Sequence, residues 1–340
     1  MALRPVRRME LEARARLRLL RLEAVQVSAR LVLPPDAPRD EWLAARRLGI
    51  TASEIAVILG ISPFDSPFNL YYKKRGEISE DFDNTAMSLG RHLEPWIADR
   101  WAEDHPEWNV VMGGLWQSEE RPWQMATTDR DLYDDAPEKF AMLGAYVEPD
   151  GVLEIKSSGT YDGWGEDGTD EIPPYYRAQV LWQLDTLGLE TAHVTCLFLS
   201  SRSIRNYVVK YHDVDVKLMR EAAQTFLARV ENGDPPEIDH LPATASALKS
   251  LFPDLDEDAE AEIKPELAED FRFAKLALDD AKAQYDLLVN QVRAEMGDAK
   301  RATCDGQPVA TRSKYTVAEH VRAAYEVDKI TPAKAKKEKP

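Results

Sequence analysis

Apolar and polar positions change period several times along the chain, and each change marks a new element. DEWLAARRLGITASEIAVILG, residues 40–60, predicts a short helix, a glycine-containing break and a second helix capped at Thr51 or Ser53. SPFNLYYKKRG, residues 66–76, predicts a short amphipathic helix stopped by Gly76. In residues 84–104, Met87, Leu93, Ile97 and Trp101 recur at helical spacing. The period then shortens. VVMGGLWQ, PWQMATTDRDLY, GVLEIKSS, AHVTCLFLS and RNYVVKYH each read as a strand between turn residues. PPYYRAQVLWQLDTLG, between the third and fourth of these, predicts a helix with proline at its start and glycine at its end. Helix, three strands, helix and two strands make a mixed α/β core.

Residues 214–232 predict a further amphipathic helix, and the acidic, proline-bearing stretch that follows reads as a linker. Phe271, Ala274, Leu278, Ala281, Tyr285, Leu288 and Val292 alternate at three and four residues. This heptad seam predicts an arm that packs on another helix. RATCDGQPVATR predicts a hairpin around Asp305-Gly306, and TPAKAKKEKP a disordered tail.

Composition supports a folded core, with 340 residues of which 44% are hydrophobic and 30% charged. No apolar run approaches the roughly 18 residues that span a bilayer, so no membrane association is expected. The N-terminus is Arg-rich without a secretory apolar stretch, and Glu10, Glu12 and Glu23 count against mitochondrial targeting. Cys196 and Cys304 are too few for a disulfide scaffold or a Cys-rich zinc site and fit a reducing cytosol. Cys196, within HVTCLFL, reads as a buried inert thiol. A net charge of −17 argues on its face against a nucleic-acid partner. Residues 231–270, however, hold 13 acidic residues against 2 lysines, whereas residues 1–30 hold 8 Arg against 3 Glu. Uneven charge leaves room for a basic channel inside an acidic exterior.

Candidate chemistry centres on EPDGVLEIKSS, residues 148–158. Residues two apart on a strand share a face, so Glu154 and Lys156 point together while Leu153 and Ile155 point into the core. Such a pair is ordinarily a surface ion pair of little energetic weight. Asp150 lies four residues before Glu154, about 13 Å along an extended chain, too far to share one Mg²⁺. Flanked by proline and glycine, it reads as a hairpin turn residue. A second carboxylate must come from a neighbouring strand, where TTDRDLY offers Asp129 and Asp131. Period two puts both on one face, and pattern alone does not choose between them.

WLAARRLGITASEIAVILG, AMSLGRHLEP, ATTDRDLY, VLEIKSS and IPPYYRAQVLWQ, in this order from Trp42 to His212, resemble the motifs of the YqaJ family. That family comprises phage-type recombination exonucleases, the lambda-type alkaline exonuclease among them, on the PD-(D/E)xK nuclease fold. The resemblance implies a restriction-endonuclease-like core, a mixed central sheet flanked by helices, here followed by a helical C-terminal arm. It implies that Asp129 is the first metal ligand, although Thr128 stands where the family usually has proline. Glu154 resembles the second ligand, with the Ile155 backbone carbonyl completing the shell. Lys156 is similar to the lysine that orients or deprotonates the attacking water. Glu94 resembles a helix-borne acid holding a second metal or its waters, and Gln179 the glutamine near that lysine and the scissile phosphate. Arg46 and Ser53 resemble a pair that grips the 5′ phosphate.

Each residue also has a plainer reading. Ser53 is read as an N-cap, Arg46 as a surface charge with Arg47 as its substitute, and Glu94 as an exposed helical acid. Gln179 and Gln183 lie one turn apart on a helix, so one of the two is read as polar surface, and Trp164, Tyr176 and Trp182 are read as core rather than base-stacking groups.

The expected organisation is an Arg-rich segment (1–38), a nuclease domain (39–232), an acidic linker (233–262), a helical coiled-coil arm with a hairpin (263–325) and a basic tail (326–340). The resemblance implies a Mg²⁺-dependent 5′→3′ exonuclease on double-stranded DNA ends, with two ions per site and Mn²⁺ substituting. Its product would be 3′ single-stranded tails for a single-strand annealing protein in phage-type recombination. A homo-oligomer in the form of a ring around DNA and a cytoplasmic location (the bacterial host's for a phage-encoded chain) follow from the same precedent. Alternatives are a structure-specific or nicking endonuclease of the same fold, and a non-catalytic DNA-end or protein-binding module.

Overall fold

A computed structural model describes residues 28–79, 84–134 and 147–316. Most of the Arg-rich segment and the whole of the basic tail lie outside the described residues. Contacts divide the chain into a first unit ending at Leu255 and a second beginning at Asp256.

Five strands of the first unit form a mixed sheet. They are β2 (Asn109–Met112), β5 (Arg130–Tyr133), β6 (Gly151–Ser158), β7 (Thr191–Phe198) and β8 (Ser203–Lys210), in the order β2-β5-β6-β7-β8. Neighbours run antiparallel except β6 and β7, which run parallel. A parallel pair needs a crossover. The helix α5 (Pro174–Leu187) supplies it, opened by Pro174 and closed by Gly188 at φ 66°. The central strands β6 and β7 are covered on both faces. Val152, Val194, Cys196 and Phe198 pack with Val180, Leu181 and Trp182 of α5. Leu153, Ile155 and Leu197 pack with Ile97, Ala98 and Trp101 of α4 (Thr85–Asp104). Glu154 follows the alternation onto the α5 side, inside the protein rather than at its surface.

Two stretches expected as single strands are each broken in two. A second sheet, β1-β3-β4, consists of β1 (Ala29–Leu33), β3 (Leu115–Ser118) and β4 (Met125–Thr127). VVMGGLWQ leaves β2 of the larger sheet and enters β3 of the smaller one at Gly113-Gly114, and PWQMATTDRDLY makes the return passage at Thr128-Asp129. The two passages touch. The Gly113 amide donates to the Asp129 carbonyl and the Thr128 amide to the Gly114 carbonyl, both at 3.3 Å. A Cβ at Gly113 would sit 2.2 Å from the Thr128 carbonyl oxygen, so only glycine lets the chains approach this closely.

The ends of the core also differ from expectation. β1 pairs antiparallel with β3, so Ala29–Leu33 belongs to the core although it falls within 1–38. The helices α1 (Arg39–Arg47), α2 (Ala52–Ile58) and α3 (Pro67–Lys74) follow, and α6 (Asp213–Asn232) packs Val216, Met219, Ala223 and Phe226 into the main core. The expected linker contains α7 (Pro242–Leu251), whose buried Ala247 packs with Phe68 of α3 and Ile78. Acidic composition hid this helix, because its apolar face is short and its acids lie outside it. In the second unit, α8 (Pro265–Met296) runs 32 residues with no buried side chain, and Phe271, Leu278, Tyr285 and Leu288 of its seam are exposed. The strands β9 (Arg301–Cys304) and β10 (Gln307–Thr311) form the hairpin around Asp305 and Gly306, both at positive φ.

Candidate active site

Glu154 sits in the middle of β6 with only 1% of its surface exposed. A buried carboxylate needs partners, and it has them on both oxygens. Lys156 Nζ and Gln179 Nε2 (2.5 Å) donate to Oε1, and Gln183 Nε2 donates to Oε2 at 2.6 Å. The Glu-x-Lys triplet is therefore no surface ion pair. Gln179 and Gln183 lie four residues apart on α5, on the helix face that meets β6.

Asp129 comes from the bend between β4 and β5. Its Oδ2 accepts from the Ile155 amide at 2.7 Å, beside Glu154 on β6. Burial of its carboxyl pushes its pKa up to about 8; the negative charges of Glu154 and Glu94 add to the rise, and Lys156 opposes it. For Lys156, burial works to lower the pKa, but Glu154 and Asp129 outweigh it and hold the ammonium charged. Its Nζ also lies 4.8 Å from the centre of the Tyr176 ring. Glu94 reaches the same region from α4, where Arg130 Nη1 donates to its Oε1 at 2.6 Å and to the Asp129 carbonyl at 2.5 Å.

The geometry separates the two aspartates that pattern left open. Asp129 lies just before β5, so strand alternation does not carry through to Asp131. Asp131 instead accepts from Trp116 Nε1 (3.1 Å) and Thr128 Oγ1 (2.6 Å). Its burial pushes its pKa up to about 7, with those two hydrogen bonds pulling the other way. Asp150 is likewise apart from Glu154, and its Oδ2 accepts from the Asp134 amide at 3.1 Å. The connection it ends runs from Asp134 to Asp150, longer than the tight hairpin expected. Trp182 and Trp164 are core: the Trp182 indole N–H is shared between the Ile50 and Met125 carbonyls.

A second constellation forms where α1 meets α2. Thr51 is the N-cap of α2, and its amide donates to Glu54 Oε2 at 2.8 Å. Ser53 is thereby left as an exposed first-turn hydroxyl rather than a cap. Arg46 Nη2 lies 3.3 Å from both Ser53 Oγ and Thr51 Oγ1 and 3.5 Å from Glu54 Oε1. Its buried Nε has no hydrogen-bond partner among the described residues. Buried Lys74 shapes the loop beneath, donating to the Arg46 and Gly49 carbonyls at 2.5 and 2.6 Å and pairing with Glu54 at 2.8 Å. Burial would raise the Glu54 pKa, but Lys74 and Arg46 outweigh it and hold it low.

Sequence reasoning missed Gln183, Arg130 and Lys74. Gln183 carried a signal, a polar side chain on a helix that is apolar nearly all round. Lys74 lies 28 residues from the carbonyl it holds, and nothing local marks it.

The donor set at Asp129 and Glu154 fits a hard divalent cation. Both are oxygen donors; burial first and the neighbouring carboxylates second raise Asp129, and a cation beside it would offset both. As placed, no three His, Cys, Asp or Glu side chains cluster closely enough to hold an ion among the described residues, and Glu94 is engaged with Arg130.

Residues 41–190 match the family described as the YqaJ-like viral recombinase domain. The uncharacterized protein YqaJ of Bacillus subtilis (strain 168) is 23% identical over 286 residues, which cover 78% of this chain and 80% of that protein. Among solved structures, the alkaline exonuclease LHK-Exo from Laribacter hongkongensis is 20% identical, with a TM-score of 0.44 over 62% of this chain and 99% of that one. A phage-related exonuclease from Haemophilus somnus 129PT is 9% identical, with a TM-score of 0.38 over 56% of this chain and 99% of that one. Arg46, Ser53, Glu94, Asp129, Glu154, Lys156, Gln179 and Gln183 all fall within residues 41–190, the segment that is similar to the YqaJ-like viral recombinase domain.

Proposed function

We propose that the chain is a metal-dependent deoxyribonuclease that degrades double-stranded DNA from its ends in the 5′→3′ direction and leaves 3′ single-stranded tails. The observation that carries this reading is the set formed by buried Glu154 and half-buried Asp129, Lys156 and Gln179, brought together by the bend before β5, by β6 and by the helix facing them. Asp129 and Glu154 would hold Mg²⁺, or Mn²⁺ in its place, with the Ile155 carbonyl as a further donor and Glu94 serving a second ion or its waters. Bound there, the cation supplies positive charge for the phosphoryl oxygens and lowers the pKa of water. Lys156, kept as an ammonium against Glu154, places a second positive charge beside the reacting phosphate. Gln179 holds Glu154 Oε1 and so fixes the carboxylate that Lys156 leans on.

Arg46 and Ser53 support action at ends. A guanidinium with a buried, unpartnered Nε beside the exposed Ser53 hydroxyl suits a terminal phosphate, which accepts several charge-assisted hydrogen bonds. The tails would feed a single-strand annealing protein in phage-type recombination, and a homo-oligomer encircling duplex would set an acidic exterior around a basic passage. The test is digestion of end-labelled linear duplex, with and without 5′ phosphate, beside covalently closed plasmid, in Mg²⁺ or Mn²⁺. Loss of linear duplex from phosphorylated 5′ ends, with plasmid untouched, is the expected result. Cutting of closed plasmid would instead mean a nicking endonuclease, and no digestion in either metal a binding module.

A further inference from the structure

Gln183 is fully buried near the middle of α5. Its side-chain amide has two N–H groups, and both are used: one on Glu154 Oε2 at 2.6 Å, the other on the Thr127 carbonyl at 2.9 Å. Two acceptors fix the orientation of the amide, and they do so at a cost. Its Oε1 is left buried without a hydrogen-bond partner among the described residues. A protein does not ordinarily tolerate an orphaned carbonyl oxygen in its core, so the two donated bonds must matter more than the one forgone.

What they join is informative. Thr127 ends β4 immediately before the bend that carries Asp129, and Glu154 belongs to β6 of the other sheet. One amide therefore ties together the two chain segments that carry the two carboxylates. It also divides the acceptor positions of Glu154. Lys156 and Gln179 take Oε1, while among the described residues Gln183 alone donates to Oε2. Without Gln183 the carboxylate keeps Lys156 and Gln179 on Oε1 but loses its donor on Oε2, and the bend keeps the Asp129–Ile155 bond but loses its tie through Thr127.

We propose that Gln183 is a positioning residue that sets the separation and orientation of Asp129 and Glu154 and thereby the affinity of the site for a divalent cation. The inference rests on the metal-dependent reading above, but its direct test needs no DNA. Mn²⁺ binding to the full chain is measured by titration calorimetry for wild type and Gln183→Met, which keeps the length of the side chain but donates no hydrogen bond. Thermal unfolding in EDTA reports on the fold. The expected result is a folded variant whose Mn²⁺ affinity falls about tenfold or more, the usual consequence of losing a group that orients a metal ligand. In digestion assays the Mg²⁺ concentration for half-maximal rate should rise correspondingly, while the rate at saturating Mg²⁺ recovers to near wild type; a merely structural loss would lower both. Should Gln183→Met fail to fold, Gln183→Asn keeps the amide but shortens its reach, and the same weakening is expected. Wild-type Mn²⁺ affinity in either folded variant overturns the proposal, as does absence of Mn²⁺ binding by wild type. A wild type that binds Mn²⁺, weakens on Gln183→Met and yet digests no DNA would uphold the positioning role and refute the nuclease.

Discussion

The two charged constellations of the first unit are opposite in what they lack. Around Asp129 and Glu154, negative charge is gathered out of water with Lys156 and Arg130 as the nearby cations, and Asp129 is pushed up to about 8 as a result of its burial and that crowding. Around Arg46 the carboxylate is over-supplied with cations: Glu54 has both Lys74 and Arg46, and its pKa is held low despite burial. There the unmet group is a donor, Arg46 Nε. One region is short of a cation and the other of an acceptor. A metal ion and a phosphate are the complementary pieces, and on the proposed function a DNA end would bring the second to a site that holds the first.

The largest effect should come from the acidic side. Glu154→Gln keeps the shape of the side chain but removes one charge from the cation site and turns one of its two acceptor oxygens into a donor. Digestion of linear duplex should fall on the order of a thousandfold, with thermal unfolding in EDTA close to wild type. Retained digestion would remove Glu154 from the site. Next in size is Gly113→Ala, which asks whether the acidic region depends on the crossing of the two sheets. The added Cβ would lie 2.2 Å from the Thr128 carbonyl, so the bend bearing Asp129 must move. A loss of about 1–3 kcal/mol in urea unfolding is expected, with weakened digestion beyond what the unfolded fraction explains. An unchanged urea midpoint would mean that the crossing is looser than described.

The difference between the regions also explains how much of each was legible in sequence. Glu154 and Lys156 could be read because alternation is local, and α5 because its proline and glycine mark its ends. Asp129 could be narrowed only to a pair. Choosing it requires knowing that the strand breaks at Thr128, and that break is imposed by Gly113, fifteen residues earlier in the chain. β1 was hidden by the basic composition around it, and α7 by the acidic composition around it, because both are held by tertiary partners rather than by a long periodic pattern. The seam of α8 was fully legible as periodicity, yet its exposure shows that period predicts a helix and not what covers it. At the basic region the sequence offered Arg46 or Arg47, and capping by Thr51 decides the role of Ser53.

On the basic side, Arg46→Ala should cost about 10–100-fold in digestion of 5′-phosphorylated ends, the weight of a charge-assisted hydrogen bond, and much less on 5′-hydroxyl ends. The contrast between the two substrates is the measurement. Equal losses on both would mean that Arg46 supports the loop held by Lys74 rather than meeting the phosphate.

The smallest effect is expected at the residue that most resembles part of the acidic region and is not. Asp150 stands in the Pro-Asp-Gly run four residues before Glu154, but its Oδ2 accepts from the Asp134 amide and its own amide donates to the Leu132 carbonyl at 2.9 Å. Asp150→Asn retains an acceptor oxygen for the first bond and leaves the backbone bond untouched. Stability should change by less than about 0.5 kcal/mol, and digestion should stay within twofold of wild type at every Mg²⁺ concentration. Loss of activity matching that of Glu154→Gln would transfer the missing carboxylate from the Asp129 bend to the start of β6. The shared charge at Asp129 and Glu154 would then have to be explained without a metal between them.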